Sequence, residues 1–419
     1  MKFPLTLMAA CLYAMPLFAE PPAAQTAAAR QAVQTTQPAP ATQLPPAPQA
    51  TAAEPTSAVL VGAQEYELAS PETGRRYRIQ VAAAGDQPRG GYPVLYVLDG
   101  DLLFPLVSMA AQNMVMRAAE NRAAPLLIVG VGYSRRSLLD TAARAEDYTP
   151  PSADYGNTGD RRHTRFGGAE KFHAFLTGAL RADIGRRFRI DPDRQAIFGH
   201  SYGGLFGVYA LLNHPGSFRH YLIASPSIWW NGERVLQDWT GFADRRHPPV
   251  DVRLSVGEYE QTAAPHLPSR AQRQAVLEQR GMVRNVRRLS QRLATLPDDR
   301  IGAVETAVYP RETHASSLMP AISDGLKWLF ARNLAEREKH DGGARRRAQQ
   351  GTQQQTRDTV TPDNARARRI PFLLSAGWFC PTAASSRLFL EMCRNSQTDA
   401  TEDKGRRALT AAHLSGAAD

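Results

Sequence analysis

The stretch that most constrains the fold is Gly199-His200-Ser201-Tyr202-Gly203, a Gly-x-Ser-x-Gly motif. An apolar run, Ala196 to Phe198, precedes the motif, and a helix-like segment, Leu205 to Leu212, follows it. Strand, sharp turn and helix form the context in which this motif exposes a serine hydroxyl. We expect the glycines on both sides to be required, because side chains there would collide with the neighbouring strand or helix. The motif therefore predicts that Ser201 is a nucleophile.

Along the chain, strand-like apolar runs alternate with segments of helical spacing. This alternation predicts an α/β fold, with a mostly parallel sheet and helices on both faces. A short turn, Pro71 to Gly74, joins the first two strands, which would add an antiparallel edge. Besides the apolar run before Ser201, the predicted strands are 59–68, 77–83, 92–98, 125–132, 220–224, 252–256 and 304–309. The predicted helices are 103–116, 168–188, 205–212, 282–296 and 318–334.

The composition predicts one large domain with an extension at each end. Residues 1–19 have a basic start, an apolar segment and a small-residue site, which indicate a signal peptide and a periplasmic or secreted protein. Residues 20–57 are rich in Ala, Pro, Gln and Thr, as a disordered linker would be. The predicted catalytic domain covers 58–340, and the Arg- and Gln-rich residues 341–419 are predicted to be a largely disordered tail.

Charge and cysteine content narrow the function further. The net charge of +10 is spread over domain and tail, which argues against a nucleic-acid patch. No apolar run after the signal is long enough for a transmembrane segment. Cys11 offers lipidation as an alternative fate of the N-terminus, whereas Cys380 and Cys393 lie in the tail. The catalytic region therefore has neither a cysteine nucleophile nor a cysteine-based metal site, and we expect no metal.

A serine nucleophile needs a base and usually an acid behind that base. His314 follows the last strand, where a serine hydrolase places its base, and the other histidines fit solvated or packing roles better. The preceding strand ends at Gly257-Glu-Tyr-Glu260, and the spacing favours Glu260 as the acid, with Glu258 as the alternative. The order is then serine, acid, histidine.

An oxyanion hole requires two backbone amides aimed at the same point. The amide of Tyr202, directly after the nucleophile, is one candidate. The loop after the third strand, Leu98-Asp-Gly-Asp101, provides the other, and Asp101 is the residue that we expect to donate. We expect the Asp101 carboxylate to be structural, because a negative charge facing a developing oxyanion would slow the reaction.

These residues resemble the esterase D-like branch of the α/β-hydrolases and, within it, the periplasmic siderophore esterases that open the trilactone of enterobactin and its glucosylated relatives. The resemblance extends over about residues 58–335 and implies an α/β-hydrolase fold and a serine esterase without a cofactor. The matching pieces are Leu98–Asp101, Asp147–Pro150, Gly167–Phe172, Asp191–Arg194, Gly199–Gly204, Ser225–Trp230, Gly257–Glu260 and Glu312–His314.

The resemblance implies a small-molecule ester as substrate, such as a ferric catecholate siderophore. Other members of the branch cleave formylglutathione, feruloyl sugars and further esters, so a general acyl or carbohydrate esterase remains an alternative. An extracellular acyltransferase and a non-catalytic binding protein are more distant alternatives. The presence of both Ser201 and His314 argues against the binding protein.

Local residues fit an anionic aromatic substrate. An arginine-rich loop follows the fourth strand, and Arg144 in it belongs to a stretch that matches the family. Guanidinium groups pair well with catecholate oxygens. Trp229 and Trp230 follow the sixth strand, where they could supply aromatic faces at the pocket rim. A solvated arginine face and a tryptophan pair in the core are the competing interpretations.

Overall fold

The structure is a computed structural model that describes residues 60–133 and 137–358. The predicted signal peptide, the linker, the domain start at residue 58 and Cys11, Cys380 and Cys393 lie outside the described residues. The fold below belongs to the compact unit that begins at Gly62.

Eight strands form one sheet in the order β1-β2-β4-β3-β5-β6-β7-β8. β1 pairs antiparallel with β2, and β2 pairs antiparallel with β4, whereas the pairs from β4 to β8 are parallel. The antiparallel edge and parallel body agree with the alternation in the sequence. The strands are β1 (Ala63–Ala69), β2 (Arg76–Ala84), β3 (Tyr92–Leu98), β4 (Leu126–Tyr133), β5 (Ile190–His200), β6 (His220–Ala224), β7 (Val250–Gly257) and β8 (Ile301–Tyr309).

Helices cover the sheet. They are α1 (Gly100–Met116), α2 (Ala118–Asn121), α3 (Thr141–Asp147), α4 (Ala169–Phe175), α5 (Arg181–Arg187), α6 (Tyr202–Asn213), α7 (Trp230–Glu233), α8 (Trp239–Asp244), α9 (Arg270–Arg280), α10 (Met282–Leu293) and α11 (Leu318–Asp358). α1 contacts β2, β3, β4 and α11, whereas α6 lies against β5 and β6 and contacts α3, α4 and α8. The predicted helix 168–188 is divided by a π-helical turn, Leu176–Leu180.

The central strands are buried on both faces, as parallel strands between two helical layers must be. In β3 all seven residues are buried, and in β4 all eight are. Val94 and Tyr96 of β3 belong to the main apolar cluster, while their neighbours Leu95 and Val97 are buried as well. Such strands are not amphipathic, which explains why they appear in the sequence as continuous apolar runs.

Helix α11 crosses residue 340 and reaches Asp358. The sequence predicts a largely disordered tail over 341–419, whereas residues 341–358 belong to this helix. In that stretch the Arg- and Gln-rich composition is compatible with a helix, because both residue types have high helix propensity. The remainder of the predicted tail, from residue 359, lies outside the described residues.

Candidate active site

The turn that carries Ser201 joins the end of β5 to the start of α6. Ser201 has φ 61° and ψ −116°, a backbone conformation that non-glycine residues seldom adopt. Its N–H donates to the Ala224 carbonyl oxygen at 3.1 Å, and its own carbonyl oxygen accepts from the Ser227 amide, also at 3.1 Å. These two hydrogen bonds hold the strained turn against the end of β6.

Close packing around this turn requires glycine at two positions. The sequence predicted this requirement for one of them, Gly199, but not for the other, Gly204. A Cβ on Gly199 would overlap the Gly203 carbonyl oxygen, and a Cβ on Gly204 would lie 2.7 Å from the Ala224 carbonyl oxygen. At Gly203 the nearest atom would be 3.5 Å away, an ordinary contact. The steric requirement predicted for Gly203 is therefore wrong, and it applies to Gly204, where α6 packs against the end of β6.

A serine, a histidine and a carboxylate meet at the carboxyl ends of β5, β7 and β8. Ser201 Oγ lies 3.0 Å from His314 Nε2, and His314 Nδ1 lies 2.6 Å from Glu260 Oε2. The structure thus brings together the three side chains that the sequence predicted as nucleophile, base and acid. Both distances are within the range needed for proton transfer between a nucleophile, its base and an orienting acid.

Hydrogen-bond donors surround the carboxylate of Glu260. Its Oε1 accepts from Ser225 Oγ at 2.6 Å, from the Gly257 amide at 2.7 Å and from Ser317 Oγ at 3.2 Å. Burial alone would raise the pKa of Glu260, but the hydrogen bonds from His314 and Ser225 hold that pKa below its usual value. Glu260 is therefore ionised beside His314 at neutral pH.

Glu258, the alternative acid, has a different partner. Its side chain is exposed, and Oε2 accepts from the Arg311 amide at 2.7 Å. The structure therefore pairs His314 with Glu260 and uses Glu258 to hold the connection after β8.

Solvent access differs greatly between the two partners in the histidine–carboxylate contact. The side chain of Glu260 is 1% exposed, whereas that of His314 is 45% exposed. The acid is therefore sealed from water, and the imidazole faces the outside.

His200, which we expected to have only a packing or solvated role, lies beside His314. Its Nε2 is 3.0 Å from the His314 carbonyl oxygen, and the two ring centroids are 4.6 Å apart. Burial and the neighbouring His314 lower the pKa of His200 to about 3. A neutral His200 ring can donate from Nε2 and hold the backbone of His314. The position of His200 directly before Ser201 in the sequence was the signal from which this role could have been inferred.

Tyr202 and Asp101, the predicted oxyanion donors, lie in the first turns of α6 and α1. Amides in a first turn have no acceptor within their helix and lie at its positive end. The Asp101 carboxylate accepts from Arg78 Nη1 at 2.9 Å and from the Tyr133 amide at 2.7 Å. These bonds give the carboxylate the structural role that we expected.

Arg144, which the sequence suggested as a substrate ligand, forms a buried ion pair instead. Its Nε and Nη2 lie 2.8 Å from the two carboxylate oxygens of Asp99, and the residue is only 8% exposed. Its guanidinium also lies over the rings of Tyr148 and Tyr202. The Asp99 carboxylate already accepts from the Nε and Nη2 donors that a substrate oxygen would need. Arg144 therefore supports the loops around the nucleophile.

The two predicted rim tryptophans have different environments. Trp230 is 0% exposed and packs against the rings of Tyr155 and Phe166, so its predicted place on the pocket rim is wrong. Trp229 is partly exposed, and the guanidinium of Arg280 lies 4.5 Å from its ring centroid. Arg280 ends α9, a helix with no buried residue, and no sequence motif marked it.

A further polar group borders the nucleophile turn. The Tyr202 hydroxyl donates to Asp160 Oδ2 at 2.8 Å, and His163 Nδ1 lies 2.8 Å from the same oxygen. Within the arginine-rich loop, Arg165 pairs with Glu146 at 2.9 Å. Arg135 and Arg136 of that loop lie outside the described residues.

The structure also bears on membrane insertion. Within the described parts of the chain, no helix combines the length and the hydropathy that a bilayer crossing requires.

Comparison with known proteins identifies the family. The Esterase family model matches residues 70–294. The chain is 33% identical over 276 residues to the ferri-bacillibactin esterase BesA of Bacillus subtilis, covering 64% of this chain and 90% of that protein. It is 32% identical to the siderophore enterobactin esterase of Emericella nidulans, covering 64% of this chain and 93% of that protein.

Solved structures agree with this result. The siderophore hydrolase EstA from Aspergillus nidulans superposes with a TM-score of 0.58 at 30% identity, covering 64% of this chain and 94% of that one. The BES protein from Bacillus cereus gives a TM-score of 0.57 at 28% identity, covering 67% and 98%. The chain belongs to the Esterase family and is an ester hydrolase with the α/β-hydrolase fold.

Proposed function

We propose that the protein is a serine esterase in which Ser201, His314 and Glu260 act as nucleophile, base and orienting acid. The observation that carries this proposal is the continuous contact from Ser201 Oγ through both nitrogens of His314 to Glu260, at 3.0 Å and 2.6 Å. A carboxylate on Nδ1 places the acceptor lone pair of the imidazole on Nε2, where it faces the serine hydroxyl.

In the proposed acylation, Ser201 Oγ bonds to the ester carbonyl carbon while His314 Nε2 takes the hydroxyl proton. The negative charge moves to the carbonyl oxygen, which the amides of Tyr202 and Asp101 stabilise. Collapse of this intermediate breaks the ester C–O bond, and the leaving alkoxide receives the proton from Nε2. Ionised Glu260 stabilises the transient imidazolium charge.

In the proposed deacylation, water attacks the acyl group on Ser201 and gives a proton to His314 Nε2. The proton then returns to Ser201 Oγ as the acid product leaves. The side chains thus end each cycle in their starting protonation states, and this hydrolysis needs no cofactor.

We propose a catecholate siderophore ester as the substrate. The similar proteins named above are called ferri-bacillibactin, enterobactin and siderophore esterases or hydrolases. On this chain, Arg280 stacked on partly exposed Trp229 provides a cation beside an aromatic face, which suits an anionic aromatic ligand. We also propose that the protein is secreted or periplasmic, on the basis of residues 1–19.

The experiment that tests the catalytic proposal is Ser201→Ala, assayed on p-nitrophenyl acetate. We expect kcat to fall at least about ten-thousand-fold, because loss of the nucleophile removes the covalent route. Ser227→Ala is the control, since Ser227 donates to the turn through its backbone amide, which this substitution keeps. Circular dichroism would verify the fold of both variants, and unchanged activity of Ser201→Ala would exclude Ser201 as the nucleophile.

The substrate proposal requires a panel of esters. We would compare kcat/KM for a cyclic catecholate trilactone, with and without bound Fe³⁺, with kcat/KM for feruloyl and short acyl esters. We expect the highest value for the trilactone. A preference for the uncharged short esters would instead favour a general acyl esterase.

A further inference from the structure

A second cluster of polar side chains lies at the amino ends of β6 and β7. His220 begins β6, Asp251 is the second residue of β7, and Glu336 belongs to α11. One ligand atom from each lies within 4.8 Å of the others. Since Ala224, four residues after His220, contacts Ser201, the cluster is separated from the nucleophile by about 13 Å of strand.

The distances within this cluster are too long for ordinary hydrogen bonds. His220 Nε2 lies 3.6 Å from Asp251 Oδ2 and 3.5 Å from Glu336 Oε1. A hydrogen bond from imidazole to carboxylate measures about 2.7–3.2 Å. Two atoms that each bind a tetrahedral Zn²⁺ at about 2.0–2.1 Å are separated by roughly 3.3 Å. The two distances from His220 Nε2 are therefore close to the separation of two ligand atoms around a shared ion.

His220 is 0% exposed, and neither of its ring nitrogens makes a hydrogen bond to a described residue. An unsatisfied buried polar group costs free energy, and an unassigned ion is one explanation for it. The His220 ring is perpendicular to that of Trp328, with centroids 5.9 Å apart. Its Nε2 therefore has the two carboxylates as its nearby polar partners.

One guanidinium group contacts both carboxylates of the cluster. Arg219 Nε lies 2.6 Å from Glu336 Oε1, and Arg219 Nη1 lies 3.4 Å from Asp251 Oδ1. Arg219 therefore orients the two carboxylates that lie beside the imidazole of His220.

A cavity of about 860 Å³ borders this cluster at Glu336 and is lined in part by Arg219 and Asn333. Such a cavity supplies the entry path that a metal site needs. It also admits water, which can complete a coordination sphere that has three protein ligands.

We propose that His220, Asp251 and Glu336 bind a divalent transition-metal ion such as Zn²⁺, which joins α11 to β6 and β7. One imidazole and two carboxylates are ligands that Zn²⁺ accepts. Arg219 keeps both carboxylates in position from outside the ligand set. The ion stabilises the fold and takes no part in ester hydrolysis, because its site is at the opposite edge of the sheet from Ser201.

The test uses the full chain, stripped with a chelator and titrated with ZnCl₂ by isothermal calorimetry. We expect binding at one equivalent and a higher thermal unfolding midpoint with Zn²⁺ but not with Ca²⁺, which requires more oxygen ligands. Glu336→Gln keeps the size of the side chain and should weaken Zn²⁺ binding at least about a hundredfold, since even outer-shell losses cost 10–100-fold. Asp251→Asn should have the same effect.

Glu170→Gln is the matched control, because Glu170 also lies beside a histidine, 2.7 Å from His214 Nε2. It should retain the full Zn²⁺ response. The variants decide the question, since Cys380 and Cys393 offer other zinc ligands in the same chain. Lack of Zn²⁺ binding by the wild type, or equal binding by wild type and a folded Glu336→Gln protein, would overturn the proposal.

Discussion

His200 Nε2 lies 3.0 Å from the carbonyl oxygen of His314, whose ring in turn contacts Ser201. The residue directly before the nucleophile therefore holds the backbone of the proposed base. The two histidines differ in environment, because the lowered pKa of His200, about 3, keeps its ring neutral over most of the acidic range. His200 can therefore position His314 without placing a second positive charge beside it.

This pKa predicts a pH dependence of stability. Below about pH 6.5 an unfolded histidine binds a proton, whereas folded His200 does not until about pH 3, so protonation favours unfolding between these values. His200 should reduce the free energy of unfolding by at most about 1.4 kcal/mol per pH unit as pH falls through this range. We expect His200→Gln, which keeps a donor, to show a shallower slope in urea unfolding measured from pH 7 to pH 4.

The control for that experiment is His266→Gln, which makes the same change at an exposed position. Its slope should equal that of the wild type. Equal slopes for His200→Gln and the wild type would contradict the inferred neutral state of His200.

Glu260 and Glu258 provide a matched pair for the role of the acid. Glu260→Gln should lower kcat about a hundred- to ten-thousand-fold, because an amide donor at Oε2 favours the wrong tautomer of His314. Glu258→Gln should change kcat less than about threefold, because the Glu258 carboxylate accepts from the Arg311 amide and not from His314. Steady-state hydrolysis of p-nitrophenyl acetate measures both, and equal activities would rule out Glu260 as the orienting acid.

The buried ion pair of Arg144 with Asp99 predicts a large effect on stability. Arg144→Met leaves the Asp99 carboxylate buried and unpaired, and should lower the free energy of unfolding by about 3–5 kcal/mol. Arg117→Met, at an exposed ion pair with Glu120, should cost no more than about 1 kcal/mol. Urea unfolding compares the two variants, and similar small losses would show that the Asp99 contact contributes little.

Neighbouring glycines in the nucleophile turn should respond differently to the same substitution. Gly204→Ala forces a methyl group to within 2.7 Å of the Ala224 carbonyl oxygen, and should destabilise the protein by about 1–3 kcal/mol. Gly203→Ala introduces ordinary contacts in the first turn of α6 and should be neutral or slightly stabilising. Thermal unfolding midpoints distinguish the two, and the reverse order would refute this account of the turn.

Arg280 should affect substrate selectivity. Arg280→Ala should raise KM about tenfold for an anionic catecholate ester, equivalent to about 1.4 kcal/mol, and leave KM for a neutral short ester unchanged. Arg273→Ala, on the same exposed helix, is the control and should alter neither value. An equal change for both esters would show that Arg280 does not recognise substrate charge.

The sequence predicted the features that depend on local pattern. Ser201, Glu260 and His314 each follow a strand that the sequence predicts, and the carboxyl ends of parallel strands meet at one edge of a sheet. Their positions along the chain therefore implied their proximity. The antiparallel edge followed in the same way from the short turn between the first two strands.

Other features depend on contacts between distant segments, which periodicity does not report. Asp99 and Arg144 are 45 residues apart, and only the folded chain shows that each satisfies the other. Which of two adjacent tryptophans is buried depends on the backbone beyond them, where Asn231 and Gly232 both have positive φ. The helix past residue 340 was missed because its composition also suits a disordered tail.

The uneven enclosure of the proposed catalytic side chains has a chemical consequence. Nearly half of the His314 side chain faces solvent, while Glu260 is sealed. In the deacylation step, the molecule that attacks the acyl group would therefore reach the imidazole directly from the surrounding solvent. An alcohol dissolved there would compete with water for the acyl group on Ser201. The partition between hydrolysis and transesterification would then be set by concentration and not by a gate in the protein.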